Sequence, residues 1–149
     1  MPVSRTNPQL VSLYLRHYSA EKNVKAGDYQ ARQRRYRHGF VGNASDQSLL
    51  TVNGTAGYVW VYNSVERLDH QQGIMCSFFR NEGEYLSSDL VREADEIAWN
   101  RWPDEPRHFT YVWDDKVRSV NPGFCYKQAG WKTCGRNKDG RLTILEIEA

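Results

Sequence analysis

Ile74-Met75-Cys76-Ser77-Phe78-Phe79-Arg80-Asn81-Glu82-Gly83, followed by Glu84-Tyr85-Leu86-Ser87-Ser88-Asp89, is the stretch that decides the fold. Its first six residues read as a strand, Arg80 to Gly83 as a turn, and Ser87-Ser88-Asp89 as the opening of an amphipathic helix with serine caps. The first turn of such a helix leaves backbone N–H groups unpaired at a positive dipole end, where a phosphate group can be held. Apolar Leu90, Ala94, Ile97 and Ala98 fall on one helical face, and Pro103 closes the helix after Trp102. A second strand, His108 to Trp113, comes next. A strand–helix–strand unit has to cross over, so its two strands are expected to be parallel.

The flanking segments are hairpins. Leu49 to Val52 and Ala56 to Tyr62 enclose Asn53-Gly54, a pair that readily takes the positive φ of a tight turn. Asp139-Gly140 turns the chain into a last strand, Arg141 to Ile147. Near the start, Leu10, Val11, Leu13, Tyr14 and Tyr18 keep helical spacing. The expected fold is therefore α/β, one domain over residues 1–149, with a helix and a basic loop in 1–47 and the sheet in 48–148.

The chain has 149 residues and a formal net charge of +2. Its charge is unevenly spread: Arg16 to Arg37 holds seven basic residues against Glu21 and Asp28, a local +5, so the remainder carries −3. A basic segment on a mildly acidic body suits a phosphate backbone or the phosphates of a nucleotide cofactor, and equally a solvated loop. Three cysteines (Cys76, Cys125, Cys134) without CxxC spacing, and no apolar leader or apolar run of membrane-spanning length, lead us to expect a reduced, cytoplasmic protein. The histidines show no metal-binding spacing, so no metal is expected.

The order of strand, phosphate turn, helix, strand and short helix ending in Gly-aromatic resembles the cofactor-binding half of the GNAT acyltransferase superfamily, over roughly residues 48 to 148. That resemblance implies splayed central parallel strands, acetyl-CoA or another acyl-CoA as cofactor, and N-acyl transfer as the activity. It implies cofactor contacts from Phe78, Phe79, Arg80, Asn81, Gly83, Ser87, Ser88 and Asn121. Arg80-Asn81-Glu82-Gly83 is similar to the family's pyrophosphate loop, although Tyr85 stands where a small residue is usual. Tyr126-Lys127-Gln128-Ala129-Gly130-Trp131 is similar to the family's Tyr-x-x-x-Gly-Phe segment, whose tyrosine protonates the departing CoA thiolate. A phenol within reach of that sulfur lowers the barrier on chemical grounds alone.

Asp114-Asp115 ends the second strand of the pair, where a carboxylate could take a proton from an attacking amine. Asp114 is preferred, with Asp115 or water as the alternatives. His17-Tyr18-Ser19, in a short chain with a basic N-terminal half, looks like the Mom DNA-modification proteins of bacteriophages. That narrower resemblance implies a nucleic-acid base amine as acceptor, His17 as a catalytic group, and Arg32, Arg34, Arg35 and Arg37 as the DNA contact. Two other readings are open: a GNAT-shaped nucleic-acid-binding protein without chemistry, and an acetyltransferase for a small-molecule amine. A monomer and a homodimer are both compatible with the sequence.

Overall fold

The computed structural model describes residues 1–16, 46–62, 67–113 and 123–149. Their elements, in chain order, are β1 (Pro2–Val3), α1 (Pro8–Leu15), β2 (Gln47–Leu50), β3 (Ala56–Val61), β4 (Ile74–Asn81), α2 (Ser87–Arg101), β5 (Arg107–Trp113), α3 (Phe124–Gln128), β6 (Lys132–Arg136) and β7 (Leu142–Glu148). The strands form a seven-stranded mixed sheet in the order β1-β2-β3-β4-β5-β7-β6. β4 and β5 are parallel, as the crossover through α2 requires. The β1/β2, β2/β3, β5/β7 and β6/β7 pairs are antiparallel. The chain divides into two compact units, Met1–Val61 with Ser77–Glu84, and Tyr62–Cys76 with Tyr85–Ala149.

In the first unit, Asn7 caps α1: its Oδ1 accepts from the Gln9 and Leu10 N–H groups at 3.0 and 3.3 Å, and Pro8 takes the first helical position. The helix buries Leu10, Val11, Leu13 and Tyr14 against Leu50, Val59 and Phe78. Gly57 lets α1 come close: a Cβ there would stand 2.7 Å from Leu10 Cδ1. β2 ends at Leu50, two residues before its expected end. The reason is Asn53, whose Oδ1 accepts from Thr51 Oγ1, Thr55 N and Thr55 Oγ1 and so widens the turn. Of the Asn53-Gly54 pair only Gly54 takes a positive φ, 72°.

In the second unit α2 departs from expectation in two ways. Its N-cap is Leu86, in an extended conformation, and no side chain caps the helix; Ser87 and Ser88 are its first two residues rather than its caps. Its buried face is Ser88, Val91, Ala94, Asp95 and Ala98, whereas Leu90 and Ile97 are only half-buried. The helix is rolled toward Asp95 because a buried carboxylate has to meet its donors. Trp102 is the C-cap ahead of Pro103, as expected. At the C-terminus β6 and β7 form the expected hairpin, with Gly140 at φ 75° in its turn.

Phe78, 1% exposed, meets the edge of the Tyr14 ring at 5.6 Å between centroids. Phe78→Ala is expected to lower unfolding free energy by about 3–5 kcal/mol, the usual cost of truncating a buried ring. Urea denaturation measures it, and a loss below about 1 kcal/mol would mean the ring is not core.

Candidate active site

Tyr126 lies on α3, a helix whose end is set by local sequence. Gly130, at φ 99°, takes the left-handed conformation that glycine favours. The Trp131 N–H then donates to the Tyr126 carbonyl at 3.0 Å and the Gly130 N–H to the Lys127 carbonyl at 3.1 Å. This is a Schellman closure, and its accompanying apolar contact is the Tyr126 ring against Trp131, 5.0 Å between centroids. The Tyr-x-x-x-Gly-aromatic pattern thus has a structural cause: it folds an aromatic residue back over the tyrosine.

The Tyr126 hydroxyl lies 3.4 Å from Cys76 Sγ, in buried surroundings. Cys76 is a key position in the sheet. The parallel pairing of β4 with β5 covers Ile74 with His108, Met75 with Phe109, and Cys76 with Thr110. Thr110 Oγ1 reinforces the last pair by donating to the Cys76 carbonyl at 2.8 Å. The expected phenol is therefore beside the last rung of the central parallel ladder. The other thiol on α3, Cys125, is pushed up to about 11 by burial, so it is not a thiolate at neutral pH.

Below Tyr126 is a network the sequence did not reveal. Asp95, 2% exposed, shares Oδ1 with His108 Nδ1 at 2.7 Å, and its Oδ2 accepts from Trp131 Nε1 at 2.8 Å. Trp99 stacks on the His108 ring at 4.7 Å. Burial raises the Asp95 carboxyl above its ordinary value, and hydrogen bonds from His108 and Trp131 offset that rise only in part. On the same strand as His108, Tyr111 donates to Asp69, which Arg67 pairs at 2.9 Å. Burial, and then the Asp69 carboxylate, push the Tyr111 phenol up to about 12, which makes it a poor proton donor.

The start of α2 carries uncapped backbone donors. Among the described residues the N–H groups of Leu86 and Ser88 have no acceptor, because no side chain caps the helix. They sit at the positive end of a 15-residue helix.

The turn expected to grip pyrophosphate is internally occupied. Asn81 Oδ1 accepts from the Gly83 N–H at 3.0 Å, and the Glu82 N–H donates to the Thr55 carbonyl at 2.8 Å. Gly83 is small for a different reason than expected: a Cβ there would stand 2.1 Å from Thr55 Oγ1. Arg80 is held by Glu82 at 2.6 Å and by the Arg16 carbonyl at 2.9 Å. Phe78 is core, and Phe79 packs on Tyr58 at 5.2 Å between centroids. Asp114, Asp115, His17, Asn121, Arg32, Arg34, Arg35 and Arg37 lie outside the described residues. The described residues contain no cluster of three or more His, Cys, Asp or Glu that could hold a metal, and no helix long and apolar enough to cross a membrane.

No family model matches this chain, and no curated protein does. Solved structures do. The aminoglycoside acetyltransferase AAC(6')-Ib, in complex with ribostamycin and coenzyme A, aligns with a TM-score of 0.65 at 16% identity, over 99% of this chain and 91% of that one. The N-acetyltransferase PseH of Campylobacter jejuni, in complex with acetyl coenzyme A, aligns at 0.58 and 13%, over 99% and 97%. The aminoglycoside 6'-N-acetyltransferase from Enterococcus faecium aligns at 0.59 and 12%, over 99% and 95%. The fold is thus the mixed α/β, GNAT-like fold these acetyltransferases share.

Glu82 supplies a pH test of the turn. The Arg16 guanidinium at 2.7 Å, then Arg80, hold its carboxyl down to about 2, below its ordinary 4.5. A depressed carboxyl contributes stability that is complete above the ordinary value and disappears as pH falls toward the folded one. The urea midpoint of the wild type should therefore exceed that of Glu82→Gln at neutral pH, and the gap should close between about pH 4.5 and 2. A gap independent of pH would contradict the pairing.

Proposed function

We propose that this protein is an acyl-CoA-dependent N-acyltransferase in which Tyr126 protonates the departing thiolate. The observation that carries the reading is the Tyr126 hydroxyl beside Cys76, at the last paired rung of β4 and β5. The acyl-CoA-binding neighbours with this fold support it, as do the open N–H groups of Leu86 and Ser88 at the start of α2.

Acyl-CoA supplies an acyl carbon activated as a thioester. Leu86 and Ser88 N–H groups, with the Ser87 hydroxyl, hold its phosphates at the positive end of α2. Backbone N–H groups of β4 polarise the carbonyl. An acceptor amine attacks, a C–N bond forms, the C–S bond breaks, and the sulfur takes the phenol proton of Tyr126. The amine's own proton leaves to Asp114, Asp115 or water.

The acceptor has two candidate classes. The basic segment with Arg32, Arg34, Arg35 and Arg37 supports a base amine on nucleic acid, with His17 orienting it. The aminoglycoside enzymes among the structural neighbours support a small-molecule amine. The occupied N–H groups of Glu82 and Gly83 favour the non-catalytic alternative, a nucleic-acid-binding protein of this fold.

Tyr126→Phe keeps the ring and removes the proton. It should lower kcat about 10²–10⁴-fold while calorimetric acetyl-CoA affinity stays the same. Full turnover by the variant would return Tyr126 to a packing role. For the acceptor, the combined Arg32→Gln, Arg34→Gln, Arg35→Gln and Arg37→Gln variant should lose retention on DNA and its salt dependence, since each phosphate contact releases counterions. A wild type that ignores DNA at low salt, yet acetylates soluble amines, would assign the small-molecule class.

A further inference from the structure

We propose that Asp95 is a positioning residue for Tyr126, acting through the Trp131 indole. The inference rests on the reading of Tyr126 as proton donor. The chain of contacts is short. His108 Nδ1 and Asp95 Oδ1 are 2.7 Å apart, and Trp131 Nε1 donates to Asp95 Oδ2 at 2.8 Å. The Trp131 ring lies 5.0 Å from the Tyr126 ring, and the Tyr126 hydroxyl is 3.4 Å from Cys76 Sγ. All five residues belong to one compact unit.

Backbone closure alone brings Trp131 over Tyr126, because the Trp131 N–H bonds the Tyr126 carbonyl. It does not by itself set which face the indole presents. The directional hydrogen bond from Nε1, on a ring that is 3% exposed, fixes the face turned to the phenol ring. The carboxylate is itself fixed, because its second oxygen is bound by His108, which is 0% exposed and stacked on Trp99. Both oxygens are thereby engaged, one toward β5 and one toward Trp131, the residue just before β6.

Stability alone is a weak reason for this arrangement. A buried charged group returns little net energy compared with a well-packed apolar residue of similar volume. What it supplies is direction. A proton donor misplaced by about 1 Å can cost about 10²-fold in rate. Met or Leu at position 95 would fill the space and leave the indole unanchored.

The test uses two variants of the full chain, Asp95→Leu and Trp131→Phe, each made in the wild type and in Tyr126→Phe. Asp95→Leu removes the acceptor for Trp131 Nε1, and Trp131→Phe keeps an aromatic ring while removing the five-membered ring with its N–H donor, so it decides the matter if Asp95→Leu does not fold. Each is expected to lower kcat about 10- to 100-fold, with KM for acetyl-CoA within about twofold of wild type. Neither should lower kcat further in the Tyr126→Phe background, because the group being positioned is already gone. The ring-carbon NMR resonance of ¹³C-labelled Tyr126 should move in Asp95→Leu, where both aromatic rings are retained and no ring current is removed. An unchanged kcat, an equal loss with and without Tyr126, or an unmoved Tyr126 resonance would overturn the proposal. If the wild type transfers no acyl group, the proposed function fails, and the Tyr126 resonance alone decides the positioning: a shift supports it and its absence overturns it.

Discussion

A carboxylate that is 2% exposed has to be met by donors on both oxygens, and Asp95 is met by His108 and Trp131. Leaving either donor out would strand a buried charge, which costs several kcal/mol in typical proteins. This requirement selects the roll of α2, so that Asp95 rather than Leu90 or Ile97 faces inward. It also fixes the indole of Trp131 and so the packing over Tyr126. Three segments distant in sequence are tied by one side chain: the middle of a helix, the start of a strand and the residue just before β6.

Around that point the sheet does two different things. β5 pairs with β7 along its whole length, from Arg107 with Glu148 to Trp113 with Leu142. With β4 it pairs over three residues only. The Tyr126 hydroxyl, 3.4 Å from Cys76 Sγ, lies beside the last rung of that shorter ladder.

Much of the architecture was legible in the sequence because it was written in local signals. Asn53-Gly54 and Asp139-Gly140 marked hairpins, Pro103 marked the end of α2, and the crossover dictated the parallel pair. The start of α1 was missed: its apolar spacing begins at Leu10, while Asn7 caps the helix and Pro8 takes its first position, two residues earlier. The Asp95 network was not legible. Asp95 sits among Asp89, Arg92, Glu93 and Glu96, where charge normally means a solvated face. Only the contacts made by tertiary folding distinguish it from its neighbours. The spacing of His108 from the other histidines carries no metal signal, and that pattern is blind to a carboxylate 13 residues away. Ser87 and Ser88 look like caps, yet the extended conformation of Leu86 moves the boundary one residue upstream. The Arg80–Gly83 turn matches a phosphate loop in composition, but its Asn81 side chain takes the Gly83 N–H for itself.

The central claim is that acyl-CoA is held at the start of α2 with its sulfur delivered to Tyr126. Titrating acetyl-CoA into ¹⁵N-labelled protein, with ¹³C-labelled tyrosine, tests it directly. The account requires saturable shifts of the Leu86 and Ser88 amides and of the Tyr126 ring, all following one binding isotherm. Absence of saturable shifts, or shifts that spare both α2 and Tyr126, would contradict it.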